Sequence, residues 1–402
     1  MQFYLPNFED LVDPEYDFIN DRPSPKRRDR FVHDWYAHQF FEEPIFDGVL
    51  MSKTVVKPSI EARIRKAGGV HAFMRLDPSV PVMGDCGAFS YRNEDKPPYE
   101  VDEILDYYQS LGFNYGVSID HLIFSKMSTA EREHRLTITL ENAQAFITGY
   151  QAQGCTFTPV GIAQGWDATS RRRAIERLLE MGYRHLALGG MARSPNKEIL
   201  ETLEAIKPIL PPDVTLHIFG VTRLELIPDF IRLGVTSADS AAPLRRAFLG
   251  SNNDNYWTRG GRKYAAIRVP EVKRGGPKRR GVDSTDEVLQ RNGVTLDKLK
   301  RMEQEALRLL RAYDAGRAEL EETLAAVLDY DRLHGDTRDL ADAYRRTLQD
   351  RPWQQCDCPI CREIGIEVII FRGNNRNRRR GFHNVKVFYE QFREAVRKHS
   401  YK

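Results

Sequence analysis

Cys356, Cys358 and Cys361 crowd into six positions, and His383 follows after an interval of twenty-one residues. Two thiols one residue apart, a third three further on and a distant imidazole can close a tetrahedral site. Soft sulfur plus borderline nitrogen, with four ligands and no open position, is zinc chemistry of the structural kind. The expected cofactor is therefore a structural Zn2+ held by Cys356, Cys358, Cys361 and His383. His71, His121 and His334 are alternative fourth ligands. A filled four-ligand site leaves catalysis to be done elsewhere. The same site would clamp a C-terminal helix expected over Asn384 to Lys398.

A second set of residues could do that catalysis. Asp85 lies in Met83-Gly-Asp-Cys-Gly-Ala-Phe-Ser90, among small residues that let a ligand come close. Asp120, Gln164 in Gly161-Ile-Ala-Gln-Gly165, the pair Gly189 and Gly190, Gly220 and Asp239 complete the set. Carboxylates move protons or attack carbon, an amide reads polar edges, and glycines expose backbone N–H groups. Each feature alone is weak, since Asp and Gly are common in loops. Their shared position, just after apolar runs, is the stronger signal.

Those runs read as strands at Gln2–Leu5, Asp47–Ser52, Val80–Gly84, Tyr115–Ile119, Phe157–Ala163, His185–Gly189, Thr215–Phe219 and Val235–Ala238. Amphipathic stretches lie between most of them, at Val101–Leu111, Thr129–Gln153, Ser170–Met181, Asn196–Ile209 and Arg223–Leu233. Gly112, Gly154, Gly182 and Gly234 follow four of these helices as C-caps. Alternating strand and helix implies a parallel sheet. Eight such units within about 250 residues predict an α/β fold, a closed (β/α)8 TIM barrel, rather than an open doubly wound sheet. In that fold the strand C-termini form one mouth, where catalytic groups gather.

The pattern changes after Gly250. Residues 251–282 are polar and glycine-rich, Ser284-Thr-Asp-Glu287 resembles a capping box, and helices are expected at Leu296–Ala312, Ala315–Leu333 and Arg338–Leu348. The predicted organisation is a catalytic barrel over 1–250, a charged helical insertion over 251–350 and a zinc-binding subdomain over 351–402. The segment from Pro6 to Phe46 is irregular.

Composition sets outer bounds. The chain has 402 residues, 41% of them hydrophobic, enough for a real core. No basic start followed by an apolar run marks a signal peptide, and nothing approaches the ~18 apolar residues of a membrane helix. Cys86 and Cys155 are too few for a disulfide framework, so the expected location is cytoplasmic, without membrane contact. Net charge is +3, from 60 basic and 57 acidic residues. That near balance hides local runs: Lys26-Arg27-Arg28 with Arg30, Lys273-Arg274 with Lys278-Arg279-Arg280, and Arg376 with Arg378-Arg379-Arg380. Such runs either sit in solvated loops or bind phosphate.

With these motifs in place, the chain resembles the tRNA-guanine transglycosylase superfamily over roughly 80–250 and 355–395. Asp85-Cys-Gly-Ala-Phe89 is similar to that family's Asp-Ser-Gly-Gly-Phe/Tyr segment, which carries the general base. Gly161-Ile-Ala-Gln164-Gly is similar to Gly-Ile-Val-Gln-Gly, and Leu188-Gly-Gly-Met-Ala192 to Val-Gly-Gly-Leu-Ala. Ala238-Asp239-Ser-Ala-Ala-Pro243-Leu-Arg245 is similar to Phe-Asp-Cys-Val-Met-Pro-Thr-Arg, whose Asp is the nucleophile. The Cys-x-Cys-x-x-Cys and His-Asn pair match the family's zinc site. The chain departs from the pattern at Cys86, Ala88, Ser90, His121 and Leu244, and its insertion is far longer. These departures resemble the DpdA branch, which acts on DNA.

The resemblance implies a glycosyltransferase that exchanges guanine in DNA for a 7-deazaguanine, 7-cyano-7-deazaguanine being the expected base. Asp239 would attack C1′ and hold the sugar covalently, and Asp85 would manage protons. Asp120 and Gln164 would bind the Watson–Crick edge, Gly190 N–H (beside Gly189) would reach the base carbonyl, and Phe89 and Phe219 would sandwich the ring. Arg245 would bind a phosphate. The implied partners are DNA, the free base and a partner ATPase of the same modification system. The alternatives are a tRNA substrate, a non-catalytic nucleic-acid-binding paralogue, which should have lost a catalytic carboxylate, and a barrel glycosidase acting on a nucleoside.

Overall fold

Eight parallel strands close on themselves: β1 (Gln2–Pro6), β2 (Gly48–Ser52), β3 (Val82–Asp85), β4 (Tyr115–Val117), β5 (Thr158–Ala163), β6 (His185–Leu188), β7 (Thr215–Ile218) and β8 (Ser237–Asp239). The computed structural model describes residues 1–7, 10–249, 254–273, 284–335 and 339–400, with the backbone alone at 400. Closure comes from β1, whose Tyr4 pairs with Gly48 on one side and Asp239 on the other. Buried on both faces, the strands read as apolar runs rather than as strict alternation. This is why all eight are legible, each within a few residues of its expected bounds.

One face of each strand fills the barrel. Tyr4, Leu50, Met83, Val117, Val160, Ile162 and Ala187 pack there, with Tyr115 and Phe219 against them. The other face takes the helices, and two strand glycines make room for aromatic rings. A Cβ on Gly84 would lie 2.3 Å from the Tyr108 ring, and one on Gly116 would lie 2.5 Å from it. Tyr108 sits on the helix Val101–Leu111 and donates its hydroxyl to Val117 O at 3.1 Å.

The other expected helices of the barrel are present, with local differences. Thr129–Gln153 has the expected bounds, and Ala168–Glu180 starts two residues early because Asp167 caps it. The helix expected over Asn196–Ile209 is α-helical to Ile206 and tightens into a 3-10 turn over Lys207–Ile209, where Pro208 lacks an amide. The one expected over Arg223–Leu233 starts as a 3-10 turn, Leu224–Leu226, and continues as Ile227–Arg232. Gly112 and Gly154 cap their helices in the left-handed conformation, as expected.

The chain forms two compact units. The first comprises Met1–Glu9, Phe46–Ala241 and Gln391–Lys402, and the second comprises Asp10–Ile45 and Ala242–Glu390. This division differs from the boundaries read from the sequence. The segment 10–45 groups with the later residues, and the last twelve residues group with the barrel. Within the first unit Phe392 packs on Phe3 at 5.8 Å.

The second unit is mostly helical: Thr285–Asn292, Leu296–Asp314, Leu320–Arg332, Ala341–Asp350, Pro359–Ile364 and the long helix Gly373–Ser400, which runs on into the first unit. The capping box at Ser284 is present, with Glu287 reaching back to the Ser284 amide at 2.8 Å. The helix expected from Ala315 begins at Leu320, because Gly316 turns the chain at φ 70°. The one expected from Arg338 begins at Ala341, Arg338 itself lying outside the described residues.

The long C-terminal helix begins at Gly373, eleven residues before the expected Asn384. Its first turns contain the arginine run whose charge density suggests a phosphate surface. The structure corrects that reading. Arg376, Arg379 and Arg380 are at most 1% exposed. Arg376 pairs with Asp21 and Glu367, Arg379 with Glu363, and Arg380 donates to the carbonyls of Ala247, Val368 and Ile370. Buried charges survive only when matched this fully, so these side chains hold the second unit together. Of the basic run near 273–280, residues 274–280 lie outside the described residues.

Candidate active site and metal centre

The C-terminal ends of β3 and β8 each end in a carboxylate, Asp85 and Asp239. Asp85 sits beside Ser52 in register with β2, and the turn after it needs Gly87 at φ 71°, where a Cβ would strike Thr54. Asp85 Oδ1 is inaccessible and has no hydrogen-bond partner. Burial pushes its carboxyl up to about 6; the Ser52 hydroxyl opposes this and the charge of Asp239 adds to it. A carboxyl poised near neutrality can hold or give up a proton. An orphaned buried acceptor is also a place where a ligand's donor would be welcome.

Asp239 is 4% exposed. Its Oδ1 accepts the Gly220 N–H at 2.8 Å and lies 3.2 Å from His217 Nε2. Gly220 adopts φ 71°, a conformation that favours glycine and turns its amide to the carboxylate.

A second pair lies beside these carboxylates. Asp120 is buried and its Oδ2 accepts from Gln164 Nε2 at 2.6 Å, while Gln164 Oε1 is buried without a partner. Gly189 is required here, since a Cβ would meet that Nε2 at 2.1 Å. Gly190 turns at φ 74°, and a Cβ there would lie 2.8 Å from Gln164 Oε1. Burial pushes the Asp120 carboxyl up to about 7; the Gln164 hydrogen bond opposes this and the charge of Asp85 adds to it.

The raised Asp120 carboxyl makes stability depend on pH. Because the folded pKa is raised, this group's favourable contribution is present below its unfolded value of 3.8 and is lost as pH rises through about 7. Asp120→Asn should therefore show a smaller loss of thermal midpoint between pH 5 and pH 8 than the parent protein. Parallel melting profiles for the two proteins would show that the carboxyl is not strained by burial.

The aromatic candidates differ in setting. Phe89 is 51% exposed, with the guanidinium groups of Arg92 and Arg193 at 4.9 and 5.7 Å from its ring centre. Phe219 is half-buried at the barrel core, 4.6 Å from the His217 ring. His121, which stands where the resembled family has Glu, is buried with Nε2 on Glu94 O and Nδ1 facing Arg135. Arg245 lies in the second unit, exposed on the short helix Ala242–Arg246. Sequence reasoning missed Ser52 and His217. His217 is two residues before Phe219 in the strand expected over Thr215–Phe219, and the two-residue side-chain period of such a strand would put both on one face. That spacing was the available signal.

In the second unit, Cys356, Cys358, Cys361 and His383 bring their ligand atoms within 4.8 Å of one another. His383 Nδ1 is 3.7, 3.5 and 3.4 Å from the three sulfurs in turn. Two ligands on a tetrahedral zinc, one S and one N, should be about 3.6 Å apart, so the donors fit that ion. His383 Nε2–H donates to Trp257 O at 2.8 Å, which leaves Nδ1 free as a ligand. Tyr256 stacks on the imidazole at 4.2 Å, and Asn384 donates to the carbonyls of Pro243 and Asn255. Of the alternative fourth ligands, His71 and His121 face carbonyl oxygens instead. Among the described residues no helix is long and apolar enough to cross a membrane.

The family described as queuine tRNA-ribosyltransferase matches residues 48–400. A DNA-guanine transglycosylase of Salmonella montevideo is 42% identical over 417 aligned residues, covering 98% of this chain and 97% of that protein. A queuine tRNA-ribosyltransferase of Psychrobacter cryohalolentis is 27% identical over 225 residues, covering 51% of this chain and 57% of that one. A second, from a Psychrobacter species, is 26% identical over 226 residues, covering 50% and 58%.

Proposed function

Because this chain belongs to the queuine tRNA-ribosyltransferase family, a family of pentosyltransferase enzymes, we propose that it exchanges guanine in DNA for a 7-deazaguanine base. The incoming base is 7-cyano-7-deazaguanine. The observation that carries the reaction is the mouth of the barrel: a tethered carboxylate at Asp239 beside an orphaned, near-neutral one at Asp85. Asp239 attacks C1′ as the bond from C1′ to guanine N9 breaks, and the electron pair leaves on the base. Asp85 gives that base a proton. It then takes the N9 proton of the incoming base, whose nitrogen displaces the Asp239 oxygen from C1′. One glycosidic bond replaces another, so the exchange needs no energy source.

Asp120 and Gln164 bind the Watson–Crick edge, with the unpartnered Gln164 Oε1 available to a donor on the base. Gly190 N–H meets the base carbonyl, and Phe89 and Phe219 take the two faces of the ring, worth about 1–3 kcal/mol per stacked base. Arg245 binds a flanking phosphate. Cys356, Cys358, Cys361 and His383 hold a structural zinc, which supplies no chemistry to the exchange and ties the helix from Gly373 to the segment before it.

The near-full-length likeness to a protein named for DNA supports DNA as the polymer; about half of this chain aligns with the tRNA enzymes. A base paired within a duplex cannot reach the mouth, so the target guanine is flipped or already single-stranded. The test is mass spectrometry of nucleosides from DNA and from tRNA, after expression with a 7-deazaguanine supply and the partner ATPase of a complete system. Modified nucleoside is expected in the DNA digest. Its confinement to the tRNA digest would reassign the polymer, and absence from both would favour a binding paralogue.

A further inference from the structure

His217 touches the carboxylate proposed to attack the sugar, and nothing in the reaction above uses it. The residue is 2% exposed on β7, with Tyr4 edge-on at 5.7 Å and Phe219 at 4.6 Å. Its two nitrogens have one partner each: Nε2 lies 3.2 Å from Asp239 Oδ1, and Nδ1 lies 2.9 Å from Ser237 Oγ. Ser237 is the register partner of His217 across the β7–β8 ladder, so the backbone pairing itself sets this contact.

The proton positions follow from the partners. An ionised carboxylate can only accept, so Nε2 must carry a proton toward Asp239. In the neutral ring Nδ1 is then an acceptor, and Ser237 fills it with its hydroxyl proton. The chain runs Ser237 to His217 to Asp239, each donating to the next. Oδ1 thus receives two donors, the Gly220 N–H and the His217 N–H.

We infer that His217 is a positioning residue that fixes Oδ1 of Asp239 and so assigns the attack on C1′ to Oδ2. This inference rests on Asp239 being the nucleophile. In the first half-reaction Oδ2 forms the bond to C1′ while the bond from C1′ to N9 breaks. Oδ1 becomes the carbonyl oxygen of the resulting ester, with both donors still on it. In the second half-reaction N9 of the incoming base, its proton passing to Asp85, forms the bond to C1′ as the ester C1′–Oδ2 bond breaks and that bond's electron pair returns to the carboxylate. Negative charge then reappears on Oδ1, where Gly220 and His217 already point. Preorganised donors aimed at developing charge favour that step. The same donors do little for attack, because they stabilise the free carboxylate as well. Losing His217 should therefore slow release of the sugar more than its capture.

The test compares His217→Leu, His217→Gln, Ser237→Ala and Asp239→Asn on the nucleic acid that the parent enzyme labels with radioactive guanine. Glutamine places an amide N–H close to where Nε2–H stood, and leucine does not. His217→Leu should lower kcat by about 10²-fold, the cost typical of one lost donor, and lower KM for the nucleic acid along with it, because kcat/KM reports the capture step, which changes little. On a denaturing gel, with no free base added, it should carry more covalently bound nucleic acid than the parent. His217→Gln should recover most of the rate. Should the leucine variant not fold, Ser237→Ala keeps the imidazole and should show the same adduct build-up with a smaller rate loss.

Equal rates for the Gln and Leu variants, with adduct no higher than in the parent, would reduce His217 to a packing residue. Adduct formed by Asp239→Asn at the parent level would instead remove the nucleophile assignment, and with it the premise.

Discussion

Asp239→Asn should abolish base exchange, with a loss of about 10⁴-fold or more, and leave the fold unchanged. Asparagine has the shape of aspartate, and its Oδ1 can still accept the Gly220 N–H now at 2.8 Å and the nearby His217 N–H. What it loses is the second oxygen and the charge, so no bond to C1′ can form. Loss of a covalent nucleophile is among the largest single effects in enzymes. Removing a buried charge also relieves desolvation, so thermal stability should be equal or higher. Asp85→Asn is the informative companion: it should still bind nucleic acid but turn over poorly, since proton transfer contributes roughly 10²–10⁴-fold. Incorporation of labelled guanine reads the rate, and a denaturing gel reads the adduct. Near-normal exchange by Asp239→Asn would mean that another group attacks the sugar.

The barrel is legible in the sequence because its signals are local. A strand buried on both faces is an apolar run, a helix ends on a glycine, and repetition of the pair eight times allows few other folds. Strand ends follow directly, which is why Asp85, Asp120, Gln164, Gly189 and Asp239 can be assigned to the mouth from the amino-acid pattern alone. His217 cannot, although it stands only two residues before Phe219. A single buried histidine in an apolar run is indistinguishable from packing until Ser237 and Asp239 are seen beside it.

The second unit is harder to read for a different reason. Its ties are long-range, and each rests on a partner that local pattern cannot supply. Arg376 pairs with Asp21 across 355 positions, and Arg372 donates to the same carboxylate at 2.7 Å. With Asp21 remote in sequence, the arginine run from 376 resembles a solvated or phosphate-binding stretch. A local trace of its burial is nonetheless present. Arg376, Arg379 and Arg380 stand at i, i+3 and i+4, one face of a helix, and that face is the buried one. Read by helical period instead of by charge density, the run belongs to a helix, which the structure begins at Gly373. The segment 10–45 has no period of either kind, and its place becomes visible only through these pairs.

The zinc site gives the second large effect. Cys358→Ser should drop zinc content from about one ion per chain to near zero and loosen the second unit around residues 356–383. The substitution is a clean one. Cys358 is also the N-cap of the helix Pro359–Ile364, where its sulfur accepts the Cys361 N–H at 3.4 Å. Serine is a good N-cap, so that turn keeps its hydrogen bond and what is lost is the ligand. Apparent zinc affinities in such sites correspond to about 10–16 kcal/mol, most of it coupled to folding of the ligand-bearing segment. Without the ion, three sulfurs and Nδ1 that now lie within 4.8 Å of one another have no common partner to hold them together. The stacked Tyr256 and the Asn384 bonds to Pro243 and Asn255 should not replace it. Limited proteolysis should therefore cut the variant between 351 and 372 while fragments of the barrel strands persist. Elemental analysis of protein purified without chelator is the primary measurement. A parent protein free of zinc, or a variant that keeps a full equivalent and the parent's protease pattern, would overturn the structural-zinc assignment.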